Sequence, residues 1–190
     1  MVGGPEAMLV VDDTALPKKG SASAGVAVQY CGALGKRANC QSLVSLTLAR
    51  REVPVPMGLR LFLPDAWTND PARCAKAGAP ENARSTRTKP EIALAETDRL
   101  RTADVRFGCV LADAGYGSGA PFRQTLSQRG LLWAVGVASM QQVFRHDVAL
   151  LFLQAAKGRP RLHAVPSEPA QSAAEVLAGR PWRRATWRGG

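Results

Sequence analysis

The sequence predicts an α/β fold: one mixed β-sheet with helices packed on it. Two observations carry this. Short apolar runs, alternating with period two in places, fill the first third of the chain. Helical and strand patterns then take turns, and the strand–helix–strand order from Arg106 to Ala138 implies a parallel crossover. Strands first, then helix–strand–helix–strand, is the order expected of a single sheet covered by helices. The length of 190 residues agrees, being enough for one domain with a real core plus extensions and marginal for two.

Taken in order, Met8 to Asp13 (MLVVDD) is a short apolar strand that ends in acid. Gly25 to Gly32 (GVAVQYCG) reads as a second strand after a Gly/Ser/Ala turn. Cys40 to Pro64 supplies two more, joined around REVPVPMG, with Leu43, Ser45 and Thr47 alternating against Val44, Leu46 and Leu48. Pro54 and Pro56 fit the connection or a sheet edge, because proline cannot donate to a central ladder. Pro64 to Pro90 is a long polar excursion with one short helix from Pro71 to Ala77, and Trp67 is expected to pack it onto the core. Thr88 can cap a helix that starts at Lys89 and ends near Ala103. Pro90 and Glu91 suit its first turn, and Ile92, Ala95 and Leu100 fall at helical spacing. RFGCVLAD is then a strand, APFRQTLSQRG a helix closed by Gly130, and LLWAVGVA a strand. No internal repeat is visible.

Composition narrows the class. The chain is 46% hydrophobic and 21% charged, with no apolar run long enough to span a membrane. Its N-terminus lacks the basic-then-apolar layout of a signal peptide, so a cytoplasmic protein is expected. Cys31, Cys40, Cys74 and Cys109 are scattered without a C-x-x-C pair, which argues against zinc and for idle thiols. The net charge of +10 favours an anionic partner, most simply nucleic acid. Seven Lys/Arg stand against two Glu from Lys157 onward.

Two aspartates carry the chemistry. Asp13 and Asp113 each end an apolar run, 100 residues apart. If those strands are neighbours, the carboxylates meet at one edge of the sheet. Two close carboxylates stay ionised together only with a cation between them. Hard oxygen ligands suit Mg²⁺ or Mn²⁺, and paired ions about 3.5–4 Å apart are a device for phosphodiester displacement. The plainer alternative makes each Asp a turn residue at a strand end. Residue types alone leave both open.

Other features are weaker. GYGSG lacks the Lys-Ser/Thr of a P-loop, and Asp113 before it would repel a pyrophosphate, so a flexible turn exposing Asp113 is expected. Lys18 and Lys19 either hold a DNA phosphate or form a solvated hairpin turn. Arg123 and Arg129 are expected on a solvent face, and His146 and His163 in loops. Trp182 and Trp187, among Arg180, Arg183, Arg184 and Arg188, either stack on bases or belong to a core. VDDTAL lacks the D-x-D-x-T spacing of haloacid-dehalogenase phosphatases, and the glycine turn does not follow an early strand as a dinucleotide site requires.

Several stretches in order, VVDDTALPKKG…GVAVQYCGALGKRANCQ, LRLFLPDAWTNDPARCAKAGAP, RTKPEIALA and VLADAGYGSGAPFRQTLSQRGLLWAVGV, resemble the insertion-sequence transposases of the DDE class. The resemblance runs from Met8 to about Trp187. It implies a ribonuclease-H-like catalytic core that cuts and joins double-stranded DNA at transposon ends, with homo-oligomerisation compatible. Asp13 and Asp113 are then the first two catalytic, metal-holding aspartates, for Mg²⁺ or Mn²⁺, with one ion alone an option. Asp12 has a supporting role at most, and Lys18, Lys19, Arg183 and Arg184 are the expected DNA contacts.

The family's third carboxylate is a glutamate on a later helix, after a β-rich insertion that follows the WAVGV strand. Glu168 lies between prolines, Glu175 matches insertion sequence, and Glu91 and Glu96 precede Asp113, which is the wrong chain order. Family members also carry a helical DNA-binding region upstream. The resemblance therefore implies a partial core over residues 1–140, the start of an incomplete insertion with a basic tail over 141–190, and a truncated chain inactive alone. The competing expectation is a non-catalytic, basic DNA-binding remnant.

Overall fold

The structure, a computed structural model, describes residues 3–51, 53–152 and 163–179. Two compact units divide between Gly136 and Val137.

The first unit holds strands β1 (Gly4–Pro17), β2 (Ala27–Cys31), β3 (Lys36–Arg50), β4 (Val53–Leu61), β5 (Phe107–Ala112) and β6 (Trp133–Val135). Its helices are α1 (Asp65–Thr68), α2 (Pro71–Lys76), α3 (Lys89–Thr102), α4 (Ala114–Gly117) and α5 (Ala120–Gln128). The six strands form one mixed sheet. β3 pairs antiparallel with β1 on one side and with β2 and then β4 along the other. β1, β5 and β6 run parallel, as the crossover from Arg106 to Ala138 requires. This is the mixed sheet with helices expected of a ribonuclease-H-like core.

Period-two burial along β3 is regular: Cys40, Ser42, Val44, Leu46 and Leu48 are buried while their neighbours are half-covered. Pro54 and Pro56 lie within β4, whose one partner among the described residues is β3, so both prolines sit at an edge where a missing donor costs nothing. β4 begins sooner than expected, which places these prolines in a strand instead of the connection.

Leu9, Val11, Val44, Leu46 and Val110 form the covered face of the sheet. They pack with Ala93 and Leu100 of α3 and with Phe122 and Leu126 of α5. Burying each of the large aliphatic chains is worth about 1.5–3 kcal/mol. Polar clamps fix the helices over this face. Glu96 of α3, 7% exposed, accepts hydrogen bonds from Arg60 Nε of β4 at 2.6 Å and from Arg99 Nε at 2.8 Å. Asp98 takes a two-pronged contact from Arg129, at 2.6 and 2.5 Å. Arg129 therefore ties α5 to α3 and does not simply face solvent, as its helical position suggested.

The excursion between β4 and α3 has its own small core of Leu63, Trp67, Cys74 and Ala79. Trp67 is fully buried, donates from Nε1 to the Val26 carbonyl at 2.8 Å, and carries the Arg73 guanidinium 3.9 Å above its ring. Cys31, Cys40, Cys74 and Cys109 are free thiols.

In the second unit, β7 (Gln142–Val143) pairs antiparallel with β10 (Gln171–Ser172), and β8 (Leu150–Leu151) with β9 (Val165–Pro166). Helix α6 (Ala173–Ala178) starts on a reciprocal cap between Ser172 and Glu175. His146 and His163 are exposed. No helix among the described residues is long and apolar enough to cross a membrane.

Candidate active site

The two aspartates reach one place by different routes. β5 pairs with β1 as far as Val11 opposite Ala112 and then stops. Asp113 caps the short helix α4, its Oδ1 accepting from the backbone N–H groups of Gly115 at 2.9 Å and Tyr116 at 3.4 Å. β1 does not stop. Its antiparallel partner β3 continues beside it, pairing Asp12 with Ser45, Asp13 with Val44 and onward to Pro17 with Cys40. Asp13 is therefore held in mid-strand, a correction to the expectation that it ends one. It overhangs the finished β5, and by alternation it shares the face of Leu9 and Val11. Core gives way here to a cavity of about 500 Å³ lined by both Asp13 and Asp113, with Phe62, Asp65, Arg87, Thr88, Lys89 and Tyr116 among the other walls.

Both oxygens of Asp13 are engaged. The Tyr116 hydroxyl donates to Oδ1 at 2.5 Å, and the Lys89 ammonium donates to Oδ2 at 2.5 Å. Tyr116 is 3% exposed. Burial pushes its phenol far above the ordinary range, and the hydrogen bond to Asp13 and the negative charges of Asp13, Asp113 and Asp12 push it further. Tyr116 is thus a fixed neutral donor. Asp12 points the other way, is exposed, and accepts from the Asp13 backbone N–H at 2.7 Å, which suits a supporting role.

Neither Lys89 nor Tyr116 was singled out by the sequence reading. Lys89 is the first residue of α3, behind a reciprocal cap of Thr88 and Glu91. A cation there opposes the helix dipole by about 0.3–1 kcal/mol. The Asp13 carboxylate and the Phe62 ring, 5.5 Å from the ammonium, offset that cost. A lysine at the helix start was the one local signal available.

The GYGSG stretch is a packed helical turn, not a loose one. A Cβ on Gly117 would come within 2.0 Å of the Gly136 carbonyl and 2.8 Å of Val135. Arg123 closes the turn by donating to the Gly117 carbonyl. Of the expected DNA contacts, Lys18 and Lys19 follow β1. The Lys18 backbone N–H donates to the Asn39 carbonyl at 2.9 Å, and the Asn39 side chain returns a bond to the Lys18 carbonyl at 2.9 Å. Arg183 and Arg184, with Trp182 and Trp187, lie outside the described residues. Glu91 and Glu175 are committed to helix caps and Glu96 to two arginines. Among the described residues no three acidic, His or Cys side chains converge to hold a metal ion.

Comparison with known proteins decides the family. The sequence matches the family described as DDE superfamily endonuclease over residues 1–190. The chain belongs to that DDE family. A curated relative of this DDE chain, a probable transposase for insertion sequence element IS701 from Microchaete diplosiphon, is 31% identical over 141 residues. Those residues are 74% of this chain and 34% of the relative, so the chain spans about a third of that protein's length. No solved structure matches. DDE superfamily endonucleases generally use divalent metal ions. The residues present fit such an ion: the hard carboxylates of Asp13 and Asp113 line one cavity, with Asp65 a further acid in its wall, and a cation, the Lys89 ammonium, already rests on Asp13 Oδ2.

Proposed function

We propose that this chain carries the first two acidic ligands of a transposase that cuts and joins double-stranded DNA at transposon ends. Asp13 and Asp113 would hold the divalent ion, Mg²⁺ or Mn²⁺. The observation that supports this reading is their joint lining of one cavity at the point where β1 overhangs β5. A divalent ion bound there would polarise a phosphoryl oxygen and favour deprotonation of an attacking hydroxyl. The protein's part is geometric. Tyr116 fixes one oxygen of Asp13, and the α4 backbone fixes one oxygen of Asp113, so both carboxylates are oriented with little freedom to lose. Lys18, Lys19, Arg183 and Arg184 supply phosphate contacts along the duplex, in keeping with the charge of +10.

Two carboxylates suffice for one ion. A second ion needs a third acid: Glu91, Glu96 and Glu175 are engaged elsewhere, and Asp65, although in the cavity wall, does not converge with Asp13 and Asp113 on one point. The purified chain is therefore expected to bind Mn²⁺ and DNA without cleaving DNA. Mn²⁺ raises the melting temperature of the wild-type chain and not of Asp13→Asn or Asp113→Asn. An equal rise in all three refutes the site. Cleavage of transposon-end DNA with Mn²⁺, absent in an Asp13→Ala/Asp113→Ala control, refutes the need for a third acid. A non-catalytic DNA-binding remnant, the reading that charge alone favours, predicts salt-sensitive DNA binding with no metal response in any variant.

A further inference from the structure

Lys89 occupies an oxygen that a metal ion on Asp13 would use. Its ammonium lies 2.5 Å from Asp13 Oδ2, while Oδ1 is taken by the buried, neutral Tyr116 hydroxyl. Oδ2 is thus the oxygen on offer to an ion, and its lone pairs already accept a charged donor. An ion on Oδ2 would sit within a few ångströms of the ammonium, and like charges that close repel strongly.

The lysine can leave. Its side chain is 27% exposed and that of Asp13 35%, so both reach solvent through the open cavity. A four-carbon stem rooted at the first residue of α3 has rotamers to spare, and an ammonium is readily rehydrated. Tyr116 has no such freedom, being 3% exposed and packed on Phe122 with ring centres 5.7 Å apart. One partner of Asp13 is therefore fixed and the other exchangeable. The placement of Lys89 is also locally unfavourable, at the positive end of a helix, and a residue that breaks a local rule at a site calls for a reason there.

We propose that Lys89 is a displaceable counter-ion: it neutralises Asp13 in the metal-free chain and competes with the divalent ion for Oδ2. The proposal rests on the reading of Asp13 and Asp113 as the metal-holding pair. It makes Lys89 a residue that sets the metal concentration at which the site fills.

The test is a Mn²⁺ titration of the purified full chain, with free Mn²⁺ followed by its electron paramagnetic resonance signal. Lys89→Met removes the competing charge and is expected to bind Mn²⁺ roughly fivefold more tightly, the upper range for a partly exposed ion pair. Lys89→Gln, which keeps a donor without the charge, gains affinity in the same direction and serves if the methionine variant folds poorly. Lys89→Arg keeps the charge and stays near wild type. Lys36→Met, an equal change in net charge at the exposed start of β3, leaves affinity unaltered. Equal Mn²⁺ affinity in wild type, Lys89→Met and Lys89→Gln overturns the inference and leaves the metal site standing. So does an equal gain in Lys36→Met, which would make the effect one of overall charge. Absence of Mn²⁺ binding in every one of these proteins overturns the metal-site reading and this inference together.

Discussion

Gly117→Ala puts a single methyl group where the turn after Asp113 meets the end of β6. In the structure that carbon would lie 2.0 Å from the Gly136 carbonyl oxygen and 2.8 Å from Val135. Ordinary contacts begin near 3.4 Å, so α4 and β6 must part by more than an ångström. The obstacle is backbone and cannot rotate aside. Overpacking costs about 1–3 kcal/mol, and a backbone obstacle argues for the upper end. Alanine recovers up to about 1 kcal/mol of helix propensity, leaving a net loss of roughly 2 kcal/mol. For a unit of this size that is a fall of about 6–10 °C in melting temperature. The assay is thermal unfolding followed by circular dichroism, with Gly119→Ala as control. A Cβ on Gly119 would approach the Tyr116 carbonyl no closer than 3.7 Å, so this variant, which gives up only the N-cap preference of α5, should lose less than half as much. A Gly117→Ala protein that melts with wild type, or a Gly119→Ala protein equally damaged, would refute the packed-turn account.

Two further outcomes concern stability alone. Burial by itself raises the Glu96 carboxyl, but the hydrogen bonds and charges of Arg60 and Arg99 outweigh it and hold the group below its ordinary 4.5. Its contribution is thus complete above pH 4.5 and lost as pH falls through the lower folded value. Glu96→Gln should cost about 1–2 kcal/mol in urea unfolding at pH 7, modest because both arginines are half-exposed, with the difference from wild type shrinking on acidification. A deficit that is constant with pH would count against the ion-pair account. Trp67→Phe should lose about 1–3 kcal/mol, since the smaller ring leaves a void and the Val26 carbonyl loses its donor. An unchanged urea midpoint would show that Trp67 does not anchor the excursion.

Much of the sheet was legible because its signals are local. Alternation in β3, the cap at Thr88 and the glycine after α5 each lie in or beside the element they specify, and the crossover to β6 spans only the helical connection from Ala112 to Trp133. The meeting of Asp13 with Asp113 was legible as a conditional, since two apolar runs ending in acid imply a shared edge if the strands are neighbours. The extension of β1 past Asp13 was not. Asp-Asp-Thr reads as a turn, and the force that keeps it extended is pairing with β3, from Asp12 opposite Ser45 to Pro17 opposite Cys40. Lys89 and Tyr116 escaped notice for a similar reason. Their partner is 76 and 103 residues away, and neither a lysine near a proline nor a tyrosine between glycines names that partner.

The route by which β1 acquires its neighbours has a consequence during synthesis. β1 to β4 are consecutive from Gly4 to Leu61, and three antiparallel pairings can close among them as soon as they emerge. The opposite edge of β1 has to wait for Phe107–Ala112. Throughout that interval a nascent chain offers an open apolar edge, Met8 to Val11, to any other unfinished copy nearby. That edge ends in Asp12 and Asp13. A second copy docking there in parallel register would stack acid upon acid, with no cation fixed between them. The carboxylates proposed to hold the metal ion in the folded protein would thus also disfavour mispairing before folding is finished, by their position in the strand alone.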